Sequence, residues 1–289
     1  MTYRADIFRS DTLISAEELH SRMALGQPLT ILDVRWRPDR PDGRAEYELG
    51  HIEGAVYVDL EAELADRSIP GQGRYPLPSG TLVQAAARRW GVRNGVPIIV
   101  YDNWNRAGSA RAWWILRAAG APEVRVLDGG LTAWASAGHG ITAGLERPDP
   151  GDIDLTSHDL RRGELPTLTE ISEIPAAGVL IDARGRYDKH LESLGHHIPG
   201  ARHIPGRALL DAHGFLRPVS ELEELFARAG VYQAPVVGVC CGSGVMATVC
   251  IAALTILGIN AALIPGSWRQ SDAAASNSAA PDRIAAPAS

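Results

Sequence analysis

Apolar positions along the chain fall into two alternating textures. Short β-branched runs, such as PIIVY at 97–101 and PVVGV at 235–239, carry no polar alternation. Runs of that kind predict strands buried on both faces, as in a parallel sheet. Between them lie amphipathic stretches of helical length, SGTLVQAAARRWG (79–91) and SELEELFARAG (220–230). Each opens on a Ser suited to an N-cap and closes on a Gly suited to the C′ position. Strand and helix in alternation predict an α/β architecture, with mostly parallel sheets flanked by helices on both faces.

The pattern occurs twice. LTILDVRWRP, GHIEGAVYVDL, PIIVYD and RVLDGGLTAW in the first half are matched by GVLIDARGRY, HIPGARHIP, PVVGVCC and ALIPGSW in the second. Asp33 pairs with Asp182, His51 with His197, and Asp102 with Cys241. From second anchor to third the spacing is 102 − 51 = 51 in one copy and 241 − 197 = 44 in the other. Four ordered blocks at such spacings predict two homologous domains in tandem. We place them at 10–140 and 165–270, with a linker at 141–164. The Gly- and Pro-rich stretch from His139 to Asp154 marks that linker, and 271–289 is read as a disordered tail poor in large apolar residues.

Composition narrows the function. Hydrophobic residues make up 45% and charged residues 21%, enough apolar content for a real core. A net charge of -6 and a pI near 5.8 lack the basic footprint of a nucleic-acid binder. The longest apolar stretch, 247–262, is broken by Gly258 and Asn260 and is too short to span a bilayer. The first 15 residues lack the apolar core of a secretory signal. Three clustered cysteines, Cys240, Cys241 and Cys250, suit a reducing cytoplasm better than a disulfide framework. Their spacing does not fit a zinc site, and no metal or organic cofactor is expected.

Candidate chemistry concentrates at 235–258. A buried strand leads to Cys241, a small-residue loop Gly242-Ser243-Gly244-Val245-Met246 follows, and a helix is expected from about Ala247 to Gly258. This order sets Cys241 at the carboxyl end of a parallel strand, where open α/β sheets bind ligands. It also sets the sulfur at a helix N-terminus, where free backbone N–H groups favour an anion. A cysteine pKa of about 8.5 falls to roughly 3.5–7.5 in such places. Cys240, on the opposite side of the strand, and Cys250, in the helix, are expected in the core. Asp102 at the matching place in the first copy cannot carry sulfur, so that domain is expected to be silent. Arg186, just after the strand GVLID, is a candidate to grip a carboxylate or sulfonate with its planar fork.

These blocks and the CGSGVMA loop resemble the two-domain rhodanese family, the thiosulfate and 3-mercaptopyruvate sulfurtransferases, over Leu13 to Trp268. The resemblance implies that Cys241 carries sulfur as a persulfide, with Gly242, Ser243, Gly244, Val245 and Met246 as its cradle. A small-molecule sulfur donor loads it, and a thiol or cyanide unloads it. The loop is closer to the mercaptopyruvate-type form, because Gly242 stands where thiosulfate-type members carry a cation. Met246 replaces a usual Thr. Of two substrate-binding arginines only Arg186 is matched, with Lys189 as a stand-in for the second. The family also suggests His51 at the interdomain cleft, and Asp42 is a weaker candidate for proton handling. Two other classes compete with this reading. A cysteine phosphatase needs an arginine closing the loop, and the sixth position after Cys241 is Ala247. A non-catalytic sulfur carrier or docking module stays open as the alternative.

Overall fold

A computed structural model of the chain describes residues 2–69, 72–185 and 198–267. Strands β1 (Leu13–Ile14), β2 (Thr30–Asp33), β3 (Ala55–Tyr57), β4 (Ile98–Tyr101) and β5 (Val124–Leu127) form one sheet in the order β1-β5-β4-β2-β3. Strands β6 (Val179–Asp182), β7 (Arg202–His203), β8 (Val237–Cys241) and β9 (Ala262–Ser267) form a second in the order β7-β6-β8-β9. Every pairing is parallel. Without β1 the two orders are the same, and even β1 has an echo, a parallel bridge from Thr167 to Leu263.

The repeat extends to single hydrogen bonds. Val34 N–H donates to Tyr101 O, and Ala183 N–H to Cys240 O; Val58 N–H donates to Asp33 O, and Ile204 N–H to Asp182 O. At the end of each central strand a buried carboxylate grips the arginine two residues on, Asp33 with Arg35 and Asp182 with Arg184. Such pairs survive burial only because both charges are matched and hydrogen-bonded.

Two equivalent helices form the seam between the halves. Helix Ala107–Ala118 follows β4, helix Val245–Ile256 follows β8, and they pack on each other. Each is enclosed between its own sheet and the other's helix, which is why both are apolar nearly all round. One continuous core therefore holds Leu32 and Trp114 together with Val239 and Leu254. The outer face of the first sheet is covered by helices Ala16–Ala24 and Gly130–Ser136. On the second sheet, among the described residues, the short 3-10 turn Ile171–Glu173 and its neighbours do so. No described helix is long and apolar enough to cross a membrane.

Several boundaries differ from expectation. Ser79 does cap helix Gly80–Arg89, accepting from Leu82 N–H at 3.3 Å. The matching helix instead starts at Val219 behind Pro218, leaving Ser220 inside its first turn. Proline suits a helix start, where its fixed φ helps and its missing N–H costs nothing. The segment read as a linker is strapped to the first domain. Gly151 N–H bonds to Arg88 O, Ile153 N–H to Val92 O and Ser157 N–H to Ala119 O, while Ile153, Leu155 and Leu160 are buried. Helix Thr2–Thr12, absent from the sequence reading, packs on helix Val245–Ile256 of the other half. The tail 271–289 lies outside the described residues.

Arg9 on this first helix joins the halves. Its guanidinium donates to Asp128 at 2.8 Å and to the carbonyls of Leu216 and Arg217, both at 3.0 Å. Asp128 in turn accepts from Leu216 N–H at 2.8 Å. Burial pushes the Asp128 carboxyl above its ordinary range, against the pull of Leu216 N–H and Arg9. Asp128→Ala removes the partner of that N–H and leaves the Arg9 guanidinium with neutral carbonyls alone. The expected loss is about 2–4 kcal/mol, read by urea denaturation. An unchanged midpoint would show that the clamp contributes nothing.

Candidate active site

Strand β8 ends on Cys241, the helix begins at Val245, and only three residues turn the chain between them. Gly244 is the N-cap, at φ +77°, a conformation that glycine takes without a Cβ penalty. In that geometry Gly244 N–H points at Cys241 Sγ at 3.0 Å. A helix N-terminus thus aims a backbone donor at the sulfur. The adjoining edge is irregular. Val239 pairs with Leu263 but Cys241 with Ser267, so β9 spends extra residues at Pro265-Gly266. That bulge brings Pro265 and Gly266 against Gly244, within 3.7 Å of where a Cβ would stand. Cys241 is 2% exposed, and Gly242 and Ser243 beside it are half-buried.

Met246 does more than line the rim. Its Sδ lies 3.8 Å from Asn105 Nδ2 of the first domain, and its methyl fills the space a side chain on Gly206 would need. Cys240 sits in the outer cluster with Leu180 and Ile264, whereas Cys241 belongs to the inner core. This is the alternation expected along a strand. Burial pushes the thiols of Cys240 and Cys250 up, and Cys250 bonds to Ile204 O at 3.5 Å.

In the first domain Asp102 occupies the place of Cys241. Its carboxylate accepts from the N–H groups of Trp104, Arg106 and Ser109 and from the Ser109 hydroxyl, and pairs with Arg106 at 3.0 Å. The equivalent anion cradle is therefore filled by the chain's own carboxylate. No external anion is needed to satisfy it.

His51 is fully buried. Its Nδ1 meets Tyr47 O at 2.9 Å, its ring stacks on Tyr47, and Glu146 is 3.8 Å from Nε2. None of these contacts is with the Cys241 loop, and they hold a turn of the first domain. Asp42 is tied to Tyr57 OH at 3.0 Å and to Arg44 N–H at 2.9 Å, which holds its carboxyl below the ordinary aspartate range. Arg186, Lys189 and His197 lie outside the described residues. Among the described residues no group of three or more His, Cys, Asp or Glu could hold a metal ion.

One residue near the loop was not anticipated. Arg111, on helix Ala107–Ala118, is fully buried, and Cys241 acts on its charge. Arg111, set between Ala110 and the apolar stretch AWWIL, was the available signal, since a charge in an apolar helix needs a partner.

The rhodanese-like domain model matches residues 15–137, the half that holds Asp102. A Mycobacterium tuberculosis protein named as a thiosulfate sulfurtransferase, SseB, is 48% identical over 268 residues, spanning 91% of this chain and 94% of that one. The Escherichia coli 3-mercaptopyruvate sulfurtransferase is 33% identical over 254 residues, spanning 84% and 88%. The crystal structure of SseA from Escherichia coli matches with a TM-score of 0.74 at 30% identity, spanning 89% of this chain and 98% of that one. A parallel α/β fold in two copies, with one cysteine at a strand–helix junction, is that of a sulfurtransferase. This chain belongs to the two-domain rhodanese family.

Proposed function

We propose that this chain transfers a sulfane sulfur from a small-molecule donor to a thiophilic acceptor through a persulfide on Cys241. The observation that carries the reading is the Gly244 N–H set 3.0 Å from the Cys241 sulfur at a helix N-terminus. The Cys241 thiolate attacks the outer sulfur of the donor. With thiosulfate the S–S bond breaks and sulfite leaves with its electron pair. With 3-mercaptopyruvate the C–S bond breaks, and the enolate that leaves takes a proton to become pyruvate. Either way a Cys241 persulfide remains. Cyanide or a thiol then attacks its terminal sulfur and returns the thiolate, a two-stage ping-pong cycle. Gly242, Ser243, Gly244, Val245 and Met246 form the cradle, and Arg186 grips the donor's anionic end. The reaction belongs in the cytoplasm, where three free thiols stay reduced.

For the donor, the relatives' names point both ways, one to thiosulfate and one to 3-mercaptopyruvate. The loop supports 3-mercaptopyruvate. Thiosulfate is a compact dianion that gains from a cation on the loop just after the nucleophile, and Gly242 and Ser243 supply none. A carboxylate and a ketone suit an arginine fork and a hydroxyl. Steady-state assays with both donors are expected to give 3-mercaptopyruvate a kcat/KM at least equal to that of thiosulfate. Gly242→Arg with Ser243→Lys is expected to move the ratio toward thiosulfate. A large wild-type preference for thiosulfate contradicts this reading of the loop.

A further inference from the structure

Arg111 carries a charge that its visible partners do not balance. It has no exposed surface. Nε and Nη2 donate to Leu64 O, and Nη2 also to Tyr75 O and Pro76 O, at 3.1–3.5 Å. All are neutral carbonyls. Nη1 is buried and has no hydrogen-bond partner among the described residues. A guanidinium taken wholly out of water is costly unless an anion meets it. The free Nη1 lies against the sulfur loop, 3.5 Å from where a Cβ on Gly244 would stand. Gly244 is the residue whose N–H points at Cys241 Sγ. Burial pulls the Arg111 pKa down to about 10, and Cys241 opposes that pull. It therefore remains a cation at neutral pH.

We infer that Arg111, reaching in from the domain without a cysteine, is the fixed cation for the sulfur anion on Cys241. The inference deepens the persulfide reading and rests on Cys241 being the sulfur carrier. It gives the silent domain a part in the chemistry, since the nucleophile stands in one half and its counter-charge in the other. Thiolate and persulfide each bear one negative charge, so Arg111 stays matched through both stages of the cycle. Among the described residues, the other titratable groups around Cys241 do not serve this purpose. Cys240 is on the opposite face and Cys250 is a buried thiol. Asp182, on the neighbouring strand, is bound by Arg184 through both carboxylate oxygens. Holding the Leu64 and Tyr75–Pro76 carbonyls needs only a donor and leaves Nη1 over. That surplus separates an electrostatic role from a merely structural one.

The test is the pH profile of Cys241 alkylation by iodoacetamide, read from the mass of the Cys241 peptide, in full-length wild type, Arg111→Met and Arg111→Lys. Removing the cation is expected to move the midpoint up by about one pH unit and slow the reaction near neutrality about tenfold. Arg111→Lys is expected to restore at least half of that shift. If Arg111→Met fails to fold, Arg111→Gln replaces it, keeping a donor for the carbonyls without the charge. A midpoint unmoved in the neutral variant overturns the role of Arg111 and leaves the Cys241 reading intact. Donor sulfur appearing on a peptide other than that of Cys241 overturns the underlying reading instead, whatever the profile shows.

Discussion

Cys241→Ser is expected to lower sulfur transfer by about a thousandfold or more, while Cys240→Ser and Cys250→Ser keep most of it. A serine oxygen cannot hold a sulfane sulfur, so the covalent stage disappears while the fold stays. The other two thiols are placed for packing. Cys240 is fully buried on the outer face of the second sheet, and its hydroxyl replacement would meet Leu180 and Ile264. That is expected to cost about 1–3 kcal/mol in stability, with turnover per folded molecule retained. Cys250→Ser keeps a donor near Ile204 O and loses less. Steady-state assays corrected for folded fraction make the comparison. Near-normal turnover in Cys241→Ser would falsify the nucleophile assignment.

Gly244→Val has the second largest expected effect. At φ +77° a β-branched residue is strained before any contact is counted. Its branches would then enter space bounded by Arg111 Nη1 and Gly266 N, both 3.5 Å from the Cβ position. The expected outcome is about 2–4 kcal/mol lost in stability and kcat/KM lowered about a hundredfold, as the N–H swings off the sulfur. Gly244→Ala meets only ordinary contacts and is expected to lose about 1–2 kcal/mol, from the backbone conformation alone. Thermal melting and kinetics of the pair separate strain from crowding. Wild-type behaviour in Gly244→Val would mean that the loop does not need its observed geometry.

Local chemistry made much of this readable without coordinates. PIIVY and PVVGV are parallel strands because nothing in them suits an exposed face. Cys241 stood out because small residues followed a buried strand and preceded a helix. The halves could be laid over each other because Asp33 and Asp182 close equivalent strands, each holding an arginine two residues on. What depends on the other half of the molecule was not readable. Arg111 sits in a helix whose apolar surroundings come from both domains, so its neighbour Gly244 is 133 residues away (244 − 111). The first helix gains its place from contacts with Asp128 and Leu216, which no local pattern announces. The stretch after His139 has the composition of a free linker, yet its backbone is bonded along the first domain.

The central claim is that sulfur rides on Cys241, and the most direct measurement is the mass of that residue's peptide after the donor is supplied. Wild-type protein, incubated with thiosulfate or 3-mercaptopyruvate and digested under non-reducing conditions, is expected to gain the mass of one sulfur atom there. The gain should vanish on adding cyanide, with one thiocyanate released for each persulfide lost. Added sulfur on a peptide lacking Cys241, or turnover with no sulfur added anywhere, would contradict the account.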